Sequence, residues 1–518
     1  MGKEFGGICR CDYKIETLVD LLAEHSLASS EKVELKLHKK YFDEYFSHPN
    51  INAQVIIVEK EYIDHDYLED FSAYYVRCFQ PYKRYTTRLH FFNIQFTQHE
   101  FENALASDSN SKLTVKKLKD AYLGFIVVKF LPETIIGRTC LKTYGETDGR
   151  KFPALRTYNA NLCGVEFTVQ SLAFQEQDKV VAACATSALW SCLQATGKLF
   201  HHPIPAPVEI TRSATAQVVG DHDDNQRPFP SSGLVPIQMS LAIHSTGLES
   251  QIVRSDKRSL LCNNIHAYLS CRIPVVLVFN MGDIKDDKPV LGKGKHAVTV
   301  SGYRLGEGVQ EDNDDFQLSA ARIEKIFVHD DRVGPFARME FISDTDATWL
   351  SVSSKDGKTQ CAARPSVLVC PLHSKIRIPF EVIHDAIERI DEQMRVSRKK
   401  GFHPLKPEWD IHLTTTSDFK HALRDRKFSS FDKSKRLQLL KASLPRFLWR
   451  VTIWHDNSPH LDLLFDATGI RQGKLLVATL AASNTPFPMY FNELSYGNSV
   501  EDPLAQDILD YFKAPTAS

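Results

Sequence analysis

The chain has 518 residues, 43% hydrophobic and 25% charged, with 63 Lys and Arg against 64 Asp and Glu; this composition belongs to folded globular proteins and excludes collagen-like, low-complexity and disordered classes. Balanced charge gives the whole chain no field that favours nucleic acid or acidic membranes, so partners must be recognised locally. Eleven cysteines, odd in number and without paired spacing, argue against a disulfide framework and suit a reducing compartment.

Residues 1–7 lack the apolar core of a signal peptide, and no later stretch has the apolar length of a membrane span, so a soluble, cytoplasmic protein is expected. The length predicts three domains, expected at 1–150, 151–372 and 373–518. In the first, residues 15–27 suit a short helix and Gln54-Val-Ile-Ile-Val58 a strand. Cys9-Arg-Cys11 offers half of a zinc site, but no complementary pair follows at useful spacing, so no metal is expected.

Residues 74–92 interleave aromatics with Arg77, Lys83, Arg84 and Arg88. Single-stranded nucleic-acid binders use that pattern, but the acidic neighbours Asp64, Asp66, Glu69 and Asp70 favour core aromatics with ion-paired bases, and nucleic acid is not the expected partner. Residues 122–130 read as a central strand, hydrophobic on both faces, and the charge-rich and glycine-rich stretch 142–153 as a linker.

The informative region follows. In Phe174-Gln-Glu-Gln-Asp-Lys-Val-Val-Ala-Ala-Cys184-Ala-Thr-Ser-Ala-Leu-Trp190 a polar run gives way to a helix of small residues, with a thiol at the junction. Helix-terminal N–H groups favour negative charge, so a cysteine there is placed to act as a nucleophile. Ala188, Leu189, Cys192, Leu193 and Ala195 recur at helical spacing and predict one buried face. Residues 220–233 form a long polar loop expected to border a cleft, and residues 271–279 form a buried strand expected to pair with the next one through a polar loop, 283–295.

Lys293-Gly-Lys-His296-Ala-Val-Thr-Val-Ser-Gly-Tyr303 places a histidine at the head of a β-branched strand, after a turn at Gly292-Lys-Gly294. Lys325-Ile-Phe-Val-His-Asp330-Asp-Arg-Val-Gly334 is another apolar strand, running into an acidic pair. The C-terminal region holds an amphipathic helix over 379–394 and strands over 446–454, 460–466 and 473–479, an α+β module with Asp462 and Asp466 on an open strand face.

The order Cys, His-Ala-Val-Thr-Val-Ser-Gly-Tyr, then Phe-Val-His-Asp-Asp-Arg-Val-Gly resembles papain-like cysteine peptidases, most closely the type that processes bacteriocin leader peptides. The resemblance covers residues 170–340 and implies an α+β fold, a papain-like core with the nucleophile helix packed on an antiparallel sheet, flanked by further α+β domains. It implies a bacterial thiol protease in which Cys184 is the nucleophile, His296 the base, Asp330 the orienting carboxylate and Gln177 the oxyanion donor, with Asp331 and Gln175 as alternatives for the last two roles.

Ala185 stands where the family has Gly, and Asp178 where it has the oxyanion Gln. A protein or peptide substrate is expected, with no cofactor and no membrane partner; oligomeric state is left open. An acyltransferase or deamidase, or an inactive binding scaffold, are the alternatives.

Overall fold

Residues 7–107, 112–178, 184–216, 233–285, 288–307, 315–343, 349–352, 361–401, 406–425, 431–455, 457–469, 474–497 and 500–513 are described by a computed structural model. They mix helices with several antiparallel sheets. The packing divides the chain into two compact units: Met1–Lys257, Arg272–Arg304 and Lys325–Pro371 form the first, and Arg258–Cys271, Leu305–Glu324 and Leu372–Ser518 the second. Among the described residues no helix is long and apolar enough to cross a membrane.

The first unit begins with a five-stranded antiparallel meander: Ile8–Asp12, Val55–Tyr62, Thr86–Phe92, Tyr122–Val128 and Ile136–Leu141 pair in that order. Side chains alternate across a strand, so a run such as Val55-Ile-Ile-Val58 needs cover on both faces. Ile56 and Val58 pack with Phe42 and Phe46 of the helix Leu37–Phe46. Val55 and Ile57 face a second core that contains Leu189, Trp190 and Leu193. The boundary expected near residue 150 therefore falls inside this unit, where the N-terminal sheet and the Cys184 helix share apolar contacts.

The aromatic and basic stretch is divided in the same way. Tyr75, Phe91 and Phe92 are buried, and Arg88 pairs with Glu59 at 2.7 Å while stacking 4.0 Å over the Tyr62 ring. A buried guanidinium held by a carboxylate and an aromatic face accounts for this base within the fold.

The second sheet closes on itself. Val275–Lys285, Lys288–Leu305, Ile323–Asp330, Gly334–Ser343, Trp349–Val352 and Cys361–Leu372 pair in succession, and the last pairs back onto the first. Glu249–Arg254 extends it. Arg150–Lys151 pairs with the segment at Tyr303 and Arg304, so the stretch expected as a linker contributes an edge strand. Its charge and glycine content signal turns on either side of that strand.

The polar stretch 283–295, expected as a loop, belongs to the hairpin Val275–Lys285 and Lys288–Leu305. The register shifts between Asn280 and Gly282, and Gly292 and Gly294 take positive φ values on the opposite strand, so the glycines serve an irregularity in the ladder where a turn was expected. The loop expected to border a cleft, 220–233, lies outside the described residues except for Gly233.

In the second unit Glu408–Thr415, Phe447–His455, Ser458–Asp466 and Leu476–Ala481 form a four-stranded antiparallel sheet. The amphipathic helix is present as Phe380–Lys399, with Ile383, Ile387, Ile390 and Met394 buried. Asp462, expected on an open face, is fully buried and accepts from Arg450 Nη2 at 2.7 Å and Thr452 Oγ1 at 2.6 Å. Its charge is matched inside the unit, a pairing between adjacent strands that sequence spacing does not show.

Candidate functional site

The helix Cys184–Phe200 is built from small and apolar residues with few helix breakers, and everything from Ala185 to Gly197 is buried. Burying Leu189 and Leu193 contributes about 1.5–3 kcal/mol each, which holds the helix in place. Cys184, Ala188 and Cys192 recur every fourth residue and share one face. The Ala188 carbonyl accepts from Thr299 Oγ1 at 2.6 Å, and the Cys192 thiol lies 3.9 Å from the same hydroxyl. That face therefore runs along the strand that carries His296, and it sets the Cys184 thiol beside the His296 ring, near enough to help raise it. Cys184 itself is partly exposed.

His296 pairs with Phe279 in the ladder and sets its ring edge-on to the phenyl group. Its Nε2 lies 3.0 Å from Asp330 Oδ1 and 3.4 Å from Asp331 Oδ1. With Nε2 turned to the carboxylates, Nδ1 is the nitrogen left for sulfur. Burial works against a charged ring, but the Asp330 carboxylate outweighs it, helped by Cys184 and Asp331, and His296 is pushed up to about 10.

Asp330 ends the strand Ile323–Asp330 and is fully buried. Burial alone would raise its carboxyl, yet His296 and Arg332 hold it well below the usual carboxylate range. Arg332 donates from its backbone N–H to Oδ1 at 3.0 Å, from Nε to Oδ1 at 3.1 Å and from Nη2 to Oδ2 at 2.9 Å. Arg332 was not singled out in the sequence; its position two residues after Asp330, in the tight turn closed by Val333 N–H to the Asp330 carbonyl, was the available signal.

Asp331 is 7% exposed, and burial chiefly pushes its carboxyl up to about 6. Two carboxyl groups thus meet one imidazole and are shifted in opposite directions, Asp330 down and Asp331 up. His296, Asp330 and Asp331 are donor types that a metal could use. Asp330 already receives one imidazole and three Arg332 N–H groups, which makes this set an ion-pair network.

The N-terminal region braces the same turn. His38, buried on the helix Leu37–Phe46, lies beside the Asp331 main chain, and burial lowers it below its ordinary range. Tyr41 donates to the Pro335 carbonyl, and its ring fills the space beside Gly334, where an added Cβ would sit 2.4 Å from the ring. Neither contact is legible in the sequence, because nearly three hundred residues separate the partners.

The segment before the helix is extended. Phe174 exchanges backbone hydrogen bonds with Thr139, and Glu176 accepts from the Ile136 N–H and pairs with Lys36. Gln175 is buried, and its Nε2 has no hydrogen-bond partner among the described residues. Gln177 is half-buried at the end of this segment. Asp178, at the position where the resemblance calls for Gln, is buried and accepts from Tyr75 Oη at 2.5 Å. The connection 179–183 lies outside the described residues.

A thiol, an imidazole and a carboxylate thus stand in a row, with the sulfur partly open to solvent. Such a row can pass a proton from sulfur to ring and hold the resulting charge. A scan against protein-family models finds no match to this chain, and a search of curated proteins likewise finds none.

Proposed function

We propose that this protein is a cysteine-dependent hydrolase of papain-like type that cleaves a protein or peptide substrate. The observation that carries this reading is the His296–Asp330 pair at 3.0 Å with the Cys184 thiol beside the ring, and Arg332 neutralising the buried end of the row. Cys184 Sγ gives its proton to His296 and attacks the substrate carbonyl, forming a tetrahedral adduct. His296 then protonates the leaving amine, an acyl-enzyme remains on sulfur, and water activated by His296 releases the acid and restores the thiol.

Asp330 keeps the imidazole in one orientation throughout, the role a carboxylate takes in such triads. The oxyanion is received by the Cys184 N–H together with a glutamine amide, either Gln177, one residue before the position the resemblance calls for, or Gln175, whose buried nitrogen has no partner among the described residues. A scaffold without chemistry has no physical need for a fully buried carboxylate held against an imidazole beside a partly exposed cysteine.

The test is a comparison of new protein termini in cells expressing the wild type or Cys184→Ala. Termini present only with the wild type support the hydrolase. An empty difference, together with transfer or deamidation products dependent on Cys184, would replace hydrolysis by acyl transfer or deamidation.

A further inference from the structure

The second unit contains another convergence of ionisable side chains. His266 lies on the helix Arg258–Leu269, and Asp410 and His412 lie on the strand Glu408–Thr415. Two residues apart on a strand, Asp410 and His412 share one face. His266 Nε2 is 2.7 Å from Asp410 Oδ1, and His412 Nδ1 is 3.1 Å from the same oxygen. All three candidate donor atoms lie within 4.8 Å of one another, and the imidazoles stand nearly perpendicular, at 83°. The His266 side chain is 8% exposed and the other two 17%, so the donors are withdrawn from water while one side stays reachable.

Two imidazoles and a carboxylate are the donors that first-row divalent ions prefer, Zn2+ among them. Such an ion holds each donor at about 2.0–2.2 Å. At tetrahedral or octahedral angles that places neighbouring donors about 3–3.5 Å apart; the His412–Asp410 pair has that spacing, and the His266–Asp410 pair would open by a few tenths of an ångström to admit the ion.

We propose that His266, Asp410 and His412 form a binding site for one divalent transition-metal ion, with Zn2+ the favoured occupant and the remaining coordination open to water or an exogenous ligand. The ion would tie a helix to a strand 144 residues away in sequence and so stabilise the second unit when bound. The site is independent of the thiol chemistry proposed for the first unit.

The experiment uses the full chain carrying Cys184→Ala, which removes that thiol as a competing ligand. After dialysis against a chelator the protein is titrated with Co2+, then Zn2+, following visible ligand-field bands, calorimetric stoichiometry and Tm. One equivalent of Co2+ bound with the absorption of a low-coordinate nitrogen and oxygen site, displaced by Zn2+, with a Zn2+-dependent rise in Tm, is the expected result. His412→Ala, and separately His412→Gln for retained packing, should weaken binding at least tenfold. The proposal is overturned if the parent shows neither Co2+ bands nor a Zn2+-dependent Tm shift, or if both His412 variants bind as tightly as the parent; the cluster is then a set of hydrogen bonds only.

Discussion

His296 Nε2 and Asp330 Oδ1 stand 3.0 Å apart, with the histidine side chain 5% exposed and the carboxylate fully buried. At that distance, out of water, the pair fixes both the orientation of the ring and the nitrogen it offers to sulfur. Asp330→Asn keeps the size and loses the charge, so turnover of a cleavable peptide should fall about 10²–10⁴-fold with KM little changed. Steady-state kinetics check this; an unchanged kcat would remove Asp330 from the mechanism.

Arg332 is the counter-charge at the closed end of the row. Arg332→Ala leaves Asp330 buried with its charge less compensated and should cost about 2–3 kcal/mol, less than the loss of a fully buried pair because the guanidinium is a third exposed. Urea unfolding at neutral pH gives the value, and Arg332→Lys should recover only part of it, since one ammonium cannot replace the fork.

Asp331 and His296 each make stability fall with rising pH, over different intervals. Asp331 is raised from 3.8 to about 6, so the folded chain keeps its proton longer than the unfolded chain, and this group lowers stability progressively as pH rises through that interval. Asp331→Asn should therefore gain stability relative to the wild type between pH 4 and 6, and urea titrations at the two ends give the difference. His296, raised from 6.5 to about 10, contributes stability that is fully present below 6.5 and lost as pH rises through the folded value.

Gln175 and Gln177 are separable by kinetics. Whichever amide receives the oxyanion, its change to Ala should lower kcat about 10²–10³-fold while leaving alkylation of Cys184 by a small haloacetamide unchanged, because alkylation builds no oxyanion. Equal peptide turnover in both variants would leave the backbone N–H as the only donor.

Gly334 closes the turn that carries Asp330 to Arg332. Its φ of +152 and the Tyr41 ring leave no room for a Cβ, so Gly334→Ala should destabilise by about 1–3 kcal/mol from backbone strain alone, with the clash added. Thermal unfolding checks this, and Tyr41→Ala in the same chain should return the part due to the clash.

The sequence was legible where chemistry and local pattern coincide. The Cys184 helix announces itself by small residues at helical spacing, and the His296 and Asp330 strands by β-branched runs with a polar residue at one end; the structure brings these three side chains together. What escaped depends on chain segments far apart meeting. His38 and Tyr41 reach the Asp330 turn from the N-terminal region, the sheet returns onto its own first strand, and the stretch at 150 and 151 joins that sheet.

Turn signals misled for a related reason. Glycines at 292 and 294 read as a loop, yet they sit in a long hairpin whose register shift needs positive φ. His266 carries no motif with Asp410 and His412, because only packing of a helix on a strand unites them.

The most direct measurement is the second-order rate at which an iodoacetamide probe labels Cys184 at neutral pH, read residue by residue by mass spectrometry. On the proposed mechanism Cys184 labels far faster than the comparably exposed Cys78, and His296→Ala slows it at least a hundredfold with the fold intact. Labelling of Cys184 no faster than Cys78, or indifferent to the loss of His296, would contradict it.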